Sequence, residues 1–172
     1  CGGGSRPTGI RAAETPADDV AEYQPRWRSH TVDSTQYRKV FLAGTIDMGR
    51  SSDWQAALVA RFRDSIGGRW LFFNPRRREF HASPAEMEYQ VAWELAHLEA
   101  ADLIVMNLLG DSRSPISLLE MGLYARSGKL FVACSPDYYR YDNVRITCRR
   151  YGVPLYDSLT ALLDDLPQQS DE

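Results

Sequence analysis

The chain has 172 residues, of which 44% are hydrophobic and 25% are charged, a composition typical of one globular domain with a hydrophobic core. Its formal net charge of −3 argues against a protein that binds nucleic-acid polymers through overall positive charge. No apolar stretch is long enough to cross a membrane, and the three cysteines show no metal-ligand spacing.

Residues 1–36 are rich in glycine, proline, serine, threonine and acidic residues, with little periodicity, which predicts a flexible leader before a domain over 37–172. The chain begins at Cys1, and three interpretations of this start stay open: an engineered remnant, a fragment of a longer chain, or a mature end after signal-peptide removal. The sparse cysteines favour a cytoplasmic protein, with export or lipid attachment through Cys1 as the minority interpretation.

From Arg38 onward, short apolar runs alternate with helical patterns. KVFLAG predicts a buried strand over 39–44, and the next segment predicts a helix over 52–65 because apolar residues recur at helical spacing. RWLFF predicts a strand over 69–73 that ends at Asn74-Pro75. The next helix is predicted over 84–101, with Pro84 in its first turn. Its buried face is predicted to contain Met87, Val91, Leu95 and Leu98.

The second half of the chain repeats this alternation. DLIVMNLL predicts a strand over 102–109, and a helix is predicted over 115–127, ending at Gly128. KLFVAC predicts a strand over 129–134, with Cys134 as a core residue. A helix over 137–150, a short strand over 153–156 and a closing helix over 157–166 follow. The alternation indicates an α/β fold with a parallel sheet of five strands covered by helices on both faces.

Ligands of such sheets bind beyond the carboxyl ends of the strands, where the strand order reverses. This rule selects the residues that follow each strand. They are Gly44-Thr45-Ile46-Asp47, Asn74-Pro75-Arg76-Arg77, the segment 110–120, and the residues from Ser135 onward.

Two carboxylates are the main candidates for chemistry. Glu120 lies early in a helix, where backbone N–H groups and the helix dipole favour an ionised carboxylate. The competing interpretation is that Ser117 and Glu120 form a capping box, which is at least as probable from the pattern alone. Glu94 borders the predicted buried face of its helix, where burial of a carboxylate is costly unless it has a hydrogen-bonding or ionic partner or a functional role. The alternative interpretation is that the Glu94 side chain reaches solvent beside Trp93.

The strand-end loops supply candidate binding residues. Gly44 allows a ligand to approach the backbone closely, and Asp47 could bind a ribose hydroxyl or a base edge, although a turn role is equally consistent. Arg76 and Arg77 could bind a phosphate, although a solvated basic loop is the commoner explanation. Asn74 alone is more typical of a turn.

Two carboxylates in one crevice suit glycosidic-bond cleavage. Departure of a base builds positive charge on the sugar, and one carboxylate can capture the anomeric carbon while the other moves a proton. Transfer to another base or to water completes the cycle.

Four segments together resemble the nucleoside 2-deoxyribosyltransferase family, in its deoxyribosyltransferase-like branch. They are FLAGTIDMG (41–49), FFNPRR (72–77), QVAWELAHLEAADLIV (90–105) and SPISLLEMGLYARSGKLFVAC (114–134), with DNVRI (142–146) in addition. The resemblance runs from about Lys39 to Leu166. It implies a flavodoxin-like three-layer sandwich and no cofactor.

The resemblance also implies residue roles. The family's nucleophilic glutamate, in an E-x-G sequence, falls on Glu120, and its helix acid falls near Glu94. An asparagine that a neighbouring subunit supplies falls on Asn143, which implies a homo-oligomer. Many members have Asp-x-Gly-Thr before the nucleophile, where this chain has Ser114-Pro115-Ile116-Ser117. Gly44, Thr45, Asp47, Asn74, Arg76, Arg77, Ser114, Ser117 and Asn143 are thus the predicted substrate-binding residues.

Three functions compete. The first is an enzyme that transfers or hydrolyses the N-glycosidic bond of a nucleoside or nucleotide. The second is a nucleotide-binding sensor or effector module without turnover. The third, a flavin-binding electron carrier, is disfavoured because no convincing Ser/Thr-rich phosphate loop follows the first strand. The two glutamates favour the enzyme.

Overall fold

The computed structural model describes residues 19–47, 50–79 and 81–166. The strands are β1 (Val20–Gln24), β2 (Trp27–Arg28), β3 (Arg38–Gly44), β4 (Trp70–Phe73), β5 (Leu103–Leu108), β6 (Leu130–Cys134) and β7 (Leu155–Tyr156). The helices are α1 (Trp54–Ser65), α2 (Pro84–Ala100), α3 (Pro115–Tyr124), α4 (Tyr141–Tyr151) and α5 (Leu159–Asp165), and a 3-10 turn spans Ser34–Gln36.

The strands form one sheet in the order β2-β1-β4-β3-β5-β6-β7. All neighbouring strands are parallel except the β1–β2 pair, which is antiparallel. The predicted α/β fold with a parallel sheet is confirmed, and β3 to β7 correspond to the five predicted strands. The strand order reverses at β3, which lies between β4 and β5, so the carboxyl end of β3 marks the expected ligand crevice.

The prediction of a flexible leader is wrong for residues 19–36, because this segment contains β1 and β2. The predicted number of five strands is too low because it omits these two strands. Strand β1 pairs with β4 in parallel, with Val20 opposite Trp70 and Tyr23 opposite Phe73. Ala21 is fully buried in the core. The sequence pattern missed β1 because its acidic and polar neighbours hide a run of only five residues. Residues 1–18 lie outside the described part of the chain.

Two hydrophobic cores fill the space between the sheet and its helices. One core joins the sheet to α1 and α5, and the predicted apolar stripe of α1 (Trp54, Leu58 and Phe62) is buried in it. The other core joins the sheet to α2, α3 and α4. Among these three helices α3 occupies the middle, because Tyr124 binds Glu99 of α2 and Arg126 binds Tyr151 of α4. In the described residues no helix is long and apolar enough to cross a membrane.

The predicted buried face of α2 is wrong at three of its four positions. Leu98 is buried, but Met87, Val91 and Leu95 are 57%, 45% and 47% exposed. The helix instead contacts the sheet through aromatic side chains: the Trp93 ring lies 6.3 Å from Phe41, and the His97 ring lies 4.7 Å from Phe73. The apolar residues of α2 therefore divide between two faces, which a single periodic stripe cannot describe.

Replacement of Ala21 by glutamate tests the place of β1 in the core. A carboxylate at this fully buried position loses hydration without gaining a partner, so we expect the free energy of unfolding to fall by at least about 2 kcal/mol. Urea denaturation measures the change. Thr31→Glu, at an exposed position, is the control and should shift stability by no more than about 0.5 kcal/mol. If Ala21→Glu changed the free energy of unfolding as little as Thr31→Glu does, the assignment of β1 to the core would be contradicted.

Candidate active site

A chain of hydroxyl groups joins the loops that follow β3 and β5. The Thr45 and Ser114 hydroxyls lie 2.8 Å apart, and Ser112 lies 2.8 Å from Ser114. The Ser112 hydroxyl also donates to Asp47 Oδ1 at 2.7 Å. Thr45, Ser112 and Ser114 are buried, so these bonds fix one loop against the other away from competing water.

The backbone at this edge adopts conformations that few side chains tolerate. Gly44 has a φ of +122°, and a Cβ atom there would lie 2.1 Å from the Asn107 carbonyl oxygen. Asp47 and Ser114 have φ values of 51° and 45°, in the left-handed region that costs non-glycine residues energy. The hydroxyl chain holds Asp47 and Ser114 in these conformations. The group that approaches the Gly44 backbone closely is therefore the Asn107 backbone of the neighbouring strand β5.

Helix α3 begins in an unusual way. Its N-cap residue, Ser114, makes no side-chain capping bond, because its hydroxyl belongs to the chain with Thr45 and Ser112. Since the helix starts at Pro115, Ser117 lies in the first turn and Glu120 in the second. A capping box needs its serine at the N-cap, so the alternative interpretation of Ser117 and Glu120 as such a box is wrong. Both side chains lie on the buried side of α3.

Glu120, which is buried on α3, and Glu94, which is half-buried on α2, form a pair of carboxyl groups on adjacent helices. Glu120 is only 8% exposed, and its Oε2 atom has no hydrogen-bond partner among the described residues. The described residues show no salt bridge to either glutamate. Burial raises the pKa of Glu120 to about 8, and the negative charge of Glu94 contributes to this rise.

The helix dipole was expected to favour an ionised Glu120, whereas burial raises the pKa of this carboxyl. Glu120 lies beyond the first turn of α3, where the N–H groups are already bonded within the helix. Burial and repulsion therefore dominate, and at neutral pH the Glu120 carboxyl retains its proton. Burial raises the pKa of Glu94 as well, although less strongly because Gln90 stabilises the charged form. The two groups titrate as a coupled pair.

Gln90 connects Glu94 to the loop after β4, and the sequence analysis did not identify it. Its Nε2 group donates to Glu94 Oε1 at 2.9 Å and to the Pro75 carbonyl at 3.1 Å. Its own Oε1 is buried without a partner among the described residues. The i,i+4 spacing of Gln90 and Glu94 was the available signal. Ser112, which the analysis also missed, gave no signal beyond its place in a strand-end loop.

Arg76 lies inside the protein and holds two loops together. Its guanidinium donates to Gln55 Oε1 at 3.2 Å, to the Ser51 hydroxyl at 3.0 Å and to the Ser52 carbonyl at 3.0 Å. Asp53 approaches the same group at 3.5 Å. These bonds tie the loop after β4 to the segment before α1. The predicted phosphate contact of Arg76 stays a prediction, and its donors are already engaged in the protein without ligand.

The other predicted residues of this loop are also bonded within the protein. Arg77 pairs with Glu86 on α2, and only 8% of its side chain is exposed. Asn74 is buried, donates to Glu22 Oε2 at 2.9 Å and accepts from the Arg76 backbone N–H at 3.0 Å. Since Glu22 lies on β1, the strand that the sequence pattern missed supports this loop.

Asn143 lines a groove that neither of the two carboxyl groups lines. It lies in the first turn of α4 and lines a groove of about 290 Å³ between α3 and α4. The groove lining does not include Glu120 or Glu94. Asn143 therefore does not belong to the same cavity wall as Glu120. No group of three or more potential metal ligands occurs among the described residues.

Comparison with models of protein families identifies the family of the chain. A family model described as "Nucleoside 2-deoxyribosyltransferase like" matches residues 37–138, which is more than half of the chain. The match extends from the residue before β3 to the turn after β6. It includes both glutamates, Gln90 and the hydroxyl chain, and excludes β1, β2, β7, α4 and α5. No curated protein matches the chain.

The pH dependence of stability tests the burial of the Glu120 carboxyl. Because its pKa of about 8 exceeds the ordinary value of 4.5, the folded protein binds a proton that the unfolded chain releases between these pH values. The free energy of unfolding should therefore decline from about pH 5 to pH 8 and level off above pH 8. The decline is at most about 1.4 kcal/mol for each unit of difference between the folded and unfolded pKa values. Glu120→Gln should reduce this decline in urea denaturation series.

Asp64→Asn, on the exposed side of α1, is the matched control and should retain the wild-type dependence. An unchanged pH dependence in Glu120→Gln would show that the carboxyl titrates normally and would contradict a buried acid at this position.

Replacement of Arg76 tests its role between the loops. Arg76→Ala leaves a buried acceptor on Gln55 and a half-buried one on Ser51 without this donor, so the free energy of unfolding should fall by about 2–4 kcal/mol. Arg78→Ala is the control: its guanidinium lies on the Trp27 ring in an exposed position and should contribute less than about 1 kcal/mol. Equal losses in both variants, measured by urea denaturation, would contradict the internal role of Arg76.

Proposed function

Because the chain belongs to the nucleoside 2-deoxyribosyltransferase-like family, we propose that it cleaves or transfers the N-glycosidic bond of a nucleoside or nucleotide. Glu120 acts as the nucleophile and Glu94 assists proton transfer. The observation that carries this proposal is the pair formed by the buried Glu120 carboxyl on α3 and the half-buried Glu94 carboxyl on α2, with no basic side chain bonded to either among the described residues.

The retained proton suits the first step. A pair with one proton contains one carboxylate and one acid, which are the two groups that base departure requires. Because the proton rests on Glu120, it first moves to Glu94. The Glu120 carboxylate then attacks the anomeric carbon, and a bond forms between this carbon and the Glu120 oxygen. The bond to the base nitrogen breaks, its electrons remain on the base, and the base gains a proton from the pair.

The second step returns Glu120 to its initial state. An acceptor nitrogen or a water molecule attacks the anomeric carbon, the bond to Glu120 breaks, and the proton of the acceptor goes to Glu94. Transfer and hydrolysis differ only in the acceptor. The positive charge that develops on the sugar is stabilised by the carboxylate, in surroundings from which water is largely excluded.

The unpartnered oxygens of the site suit a sugar. Glu120 Oε2 and Gln90 Oε1 are buried acceptors without donors, and the hydroxyl groups of a ribose or deoxyribose are donors of matching chemistry. Asp47, held at the carboxyl end of β3 by Ser112, offers a further carboxylate oxygen to a hydroxyl or to a base edge. Gly44, Thr45, Asn74, Ser114 and Ser117 act as the frame of this site.

Phosphate recognition and assembly complete the proposal. Arg76 and Arg77 are the proposed phosphate contacts for a nucleotide substrate, which requires their present partners to rearrange on binding. The family resemblance implies a homo-oligomer in which Asn143 reaches the site of a neighbouring copy. A sensor module without turnover is the competing function, and the turnover experiment distinguishes the two.

Incubation with nucleosides and nucleoside monophosphates, with and without an acceptor base, tests the function directly. Chromatography of the free base should show base exchange for a transferase and base release alone for a hydrolase. Glu120→Ala should show no turnover, and Glu94→Gln should be about 10²–10⁴-fold slower, as expected for loss of proton transfer. Asp64→Asn is the matched control and should retain wild-type rates.

Wild-type turnover in Glu120→Ala would remove this residue from the nucleophile role. Tight binding of nucleotides without base release in the wild-type protein would instead favour the sensor.

A further inference from the structure

We propose that Gln90 selects the base of the substrate. It favours a base with an amino group beside the nitrogen that receives the proton of Glu94, as in adenine, over a base with a carbonyl group at that place, as in hypoxanthine. This inference rests on the proposed function, because that function places the leaving base beside Glu94. Its test includes the binding of free bases, so the two proposals can fail separately.

The Gln90 amide has one favourable orientation. Its Nε2 group has two N–H bonds, and it donates to Glu94 Oε1 at 2.9 Å and to the Pro75 carbonyl at 3.1 Å. The reversed amide would put the Gln90 oxygen against the Pro75 carbonyl oxygen, and neither of these atoms has a proton to share. Gln90 therefore has no N–H left for a ligand and presents an acceptor only.

The Pro75 carbonyl that fixes this orientation belongs to a loop that is held on both sides. Before it, the buried Asn74 side chain accepts from the Arg76 backbone N–H at 3.0 Å. After it, the Arg76 carbonyl accepts from Gln24 Nε2 at 2.9 Å. The orientation of the Gln90 amide is thus set before a ligand arrives, which is what selective binding requires.

The acceptor that Gln90 presents is its Oε1 atom. This oxygen is buried and has no hydrogen-bond partner among the described residues. Buried acceptors without a donor are rare in proteins, and a ligand that supplies an N–H or O–H removes the cost. A ligand carbonyl at the same place would leave two acceptors facing each other away from water, which disfavours that ligand strongly.

Glu94 supplies a donor next to this acceptor. Gln90 bonds Glu94 Oε1, so the proton that Glu94 receives before the attack is carried by its other oxygen, Oε2. The two residues are four positions apart on α2 and lie on the same side of the helix. Gln90 Oε1 and Glu94 Oε2 belong to the two planar groups that one hydrogen bond joins. The pair therefore presents one acceptor and one donor to a ligand.

This pattern is complementary to one edge of adenine. N7 of adenine accepts a hydrogen bond and the neighbouring N6 amino group donates one, whereas a 6-oxopurine has an oxygen acceptor in place of the amino group. The Glu94 proton goes to N7 as the bond from the anomeric carbon to N9 breaks and its electrons stay on the base. Meanwhile N6 donates to Gln90 Oε1. Hypoxanthine in the same position brings its O6 atom against Oε1.

A sugar hydroxyl is the other donor that matches Gln90 Oε1, and the position of Gln90 favours the base. Gln90 is bonded to Glu94, which gives its proton to the base. The sugar carbon bonds to Glu120 on α3, whose own Oε2 has no partner among the described residues and serves the sugar.

Turnover of matched substrates tests the selection on the full chain. The wild type should release base from adenosine or deoxyadenosine with a kcat/KM about 10–100-fold above that for inosine or deoxyinosine. Gln90→Leu removes the acceptor, so this ratio should fall to within about threefold of one. Loss of the bond to Glu94 slows both substrates alike, so the ratio reports selection alone. Gln36→Leu, the same change at an exposed position, is the control and should keep the wild-type ratio.

Calorimetric titration with free adenine and free hypoxanthine gives a readout that needs no turnover. Adenine should bind the wild type at least about tenfold more tightly than hypoxanthine, because the N6 contact is the same whether Glu94 or N7 holds the proton. Gln90→Leu should bind the two bases about equally, and circular dichroism verifies that this variant is folded. A preference for adenine without any turnover would contradict the proposed catalysis and leave the selection by Gln90 in place.

Equal rates and affinities for the two bases in the wild type overturn the proposal, as does the absence of binding of either base. A wild-type ratio that persists in Gln90→Leu also overturns it. If Gln90→Leu instead changes the preference between ribose and deoxyribose substrates, Oε1 binds the sugar and the selection of the base by Gln90 is wrong.

Discussion

The candidate site depends on one electrostatic constraint: the buried Glu120 carboxyl lies near the half-buried Glu94 carboxyl, and no described basic side chain forms a salt bridge with either. Removal of water from Glu120 and the charge of Glu94 together raise the pKa of Glu120 to about 8. Such a pair is costly for a folded protein unless it retains a proton. That proton makes the two groups chemically different at neutral pH, although both are glutamates. The proposed roles of nucleophile and proton donor require that this proton move from Glu120 to Glu94 before the attack.

The surroundings of the pair keep it in place. The Ser114 hydroxyl binds the loop after β3 instead of capping α3, so the start of the helix is fixed to the sheet edge. Gln90 ties Glu94 to the loop after β4, and Arg76 ties the same loop to the segment before α1. Four segments of the chain therefore converge on the site. Strand β1 adds support through the Glu22–Asn74 bond.

Much of the fold could be predicted because its signals are local. The strands β3 to β7 are short apolar runs between helical patterns, and their order along the chain dictates a parallel sheet. Strand β1 could not be predicted in this way, because its partner β4 lies far along the chain and its five residues include polar ones. The apolar positions of α2 misled the analysis, since Met87, Val91 and Leu95 face outward. A periodic stripe indicates a helix, but it does not show which of its apolar residues contact the sheet.

The candidate site was predictable in position but not in protonation. Glu120 and Glu94 follow from the strand-end rule and the family resemblance, whereas the pKa of Glu120 depends on burial that only packing reveals. The most direct test is a ¹³C NMR titration of glutamate carboxyl groups, with the Glu120 signal assigned by its absence in Glu120→Gln. We expect a midpoint near pH 8 that falls in Glu94→Gln. A midpoint near the ordinary value of 4.5, unchanged in Glu94→Gln, would contradict the shared proton.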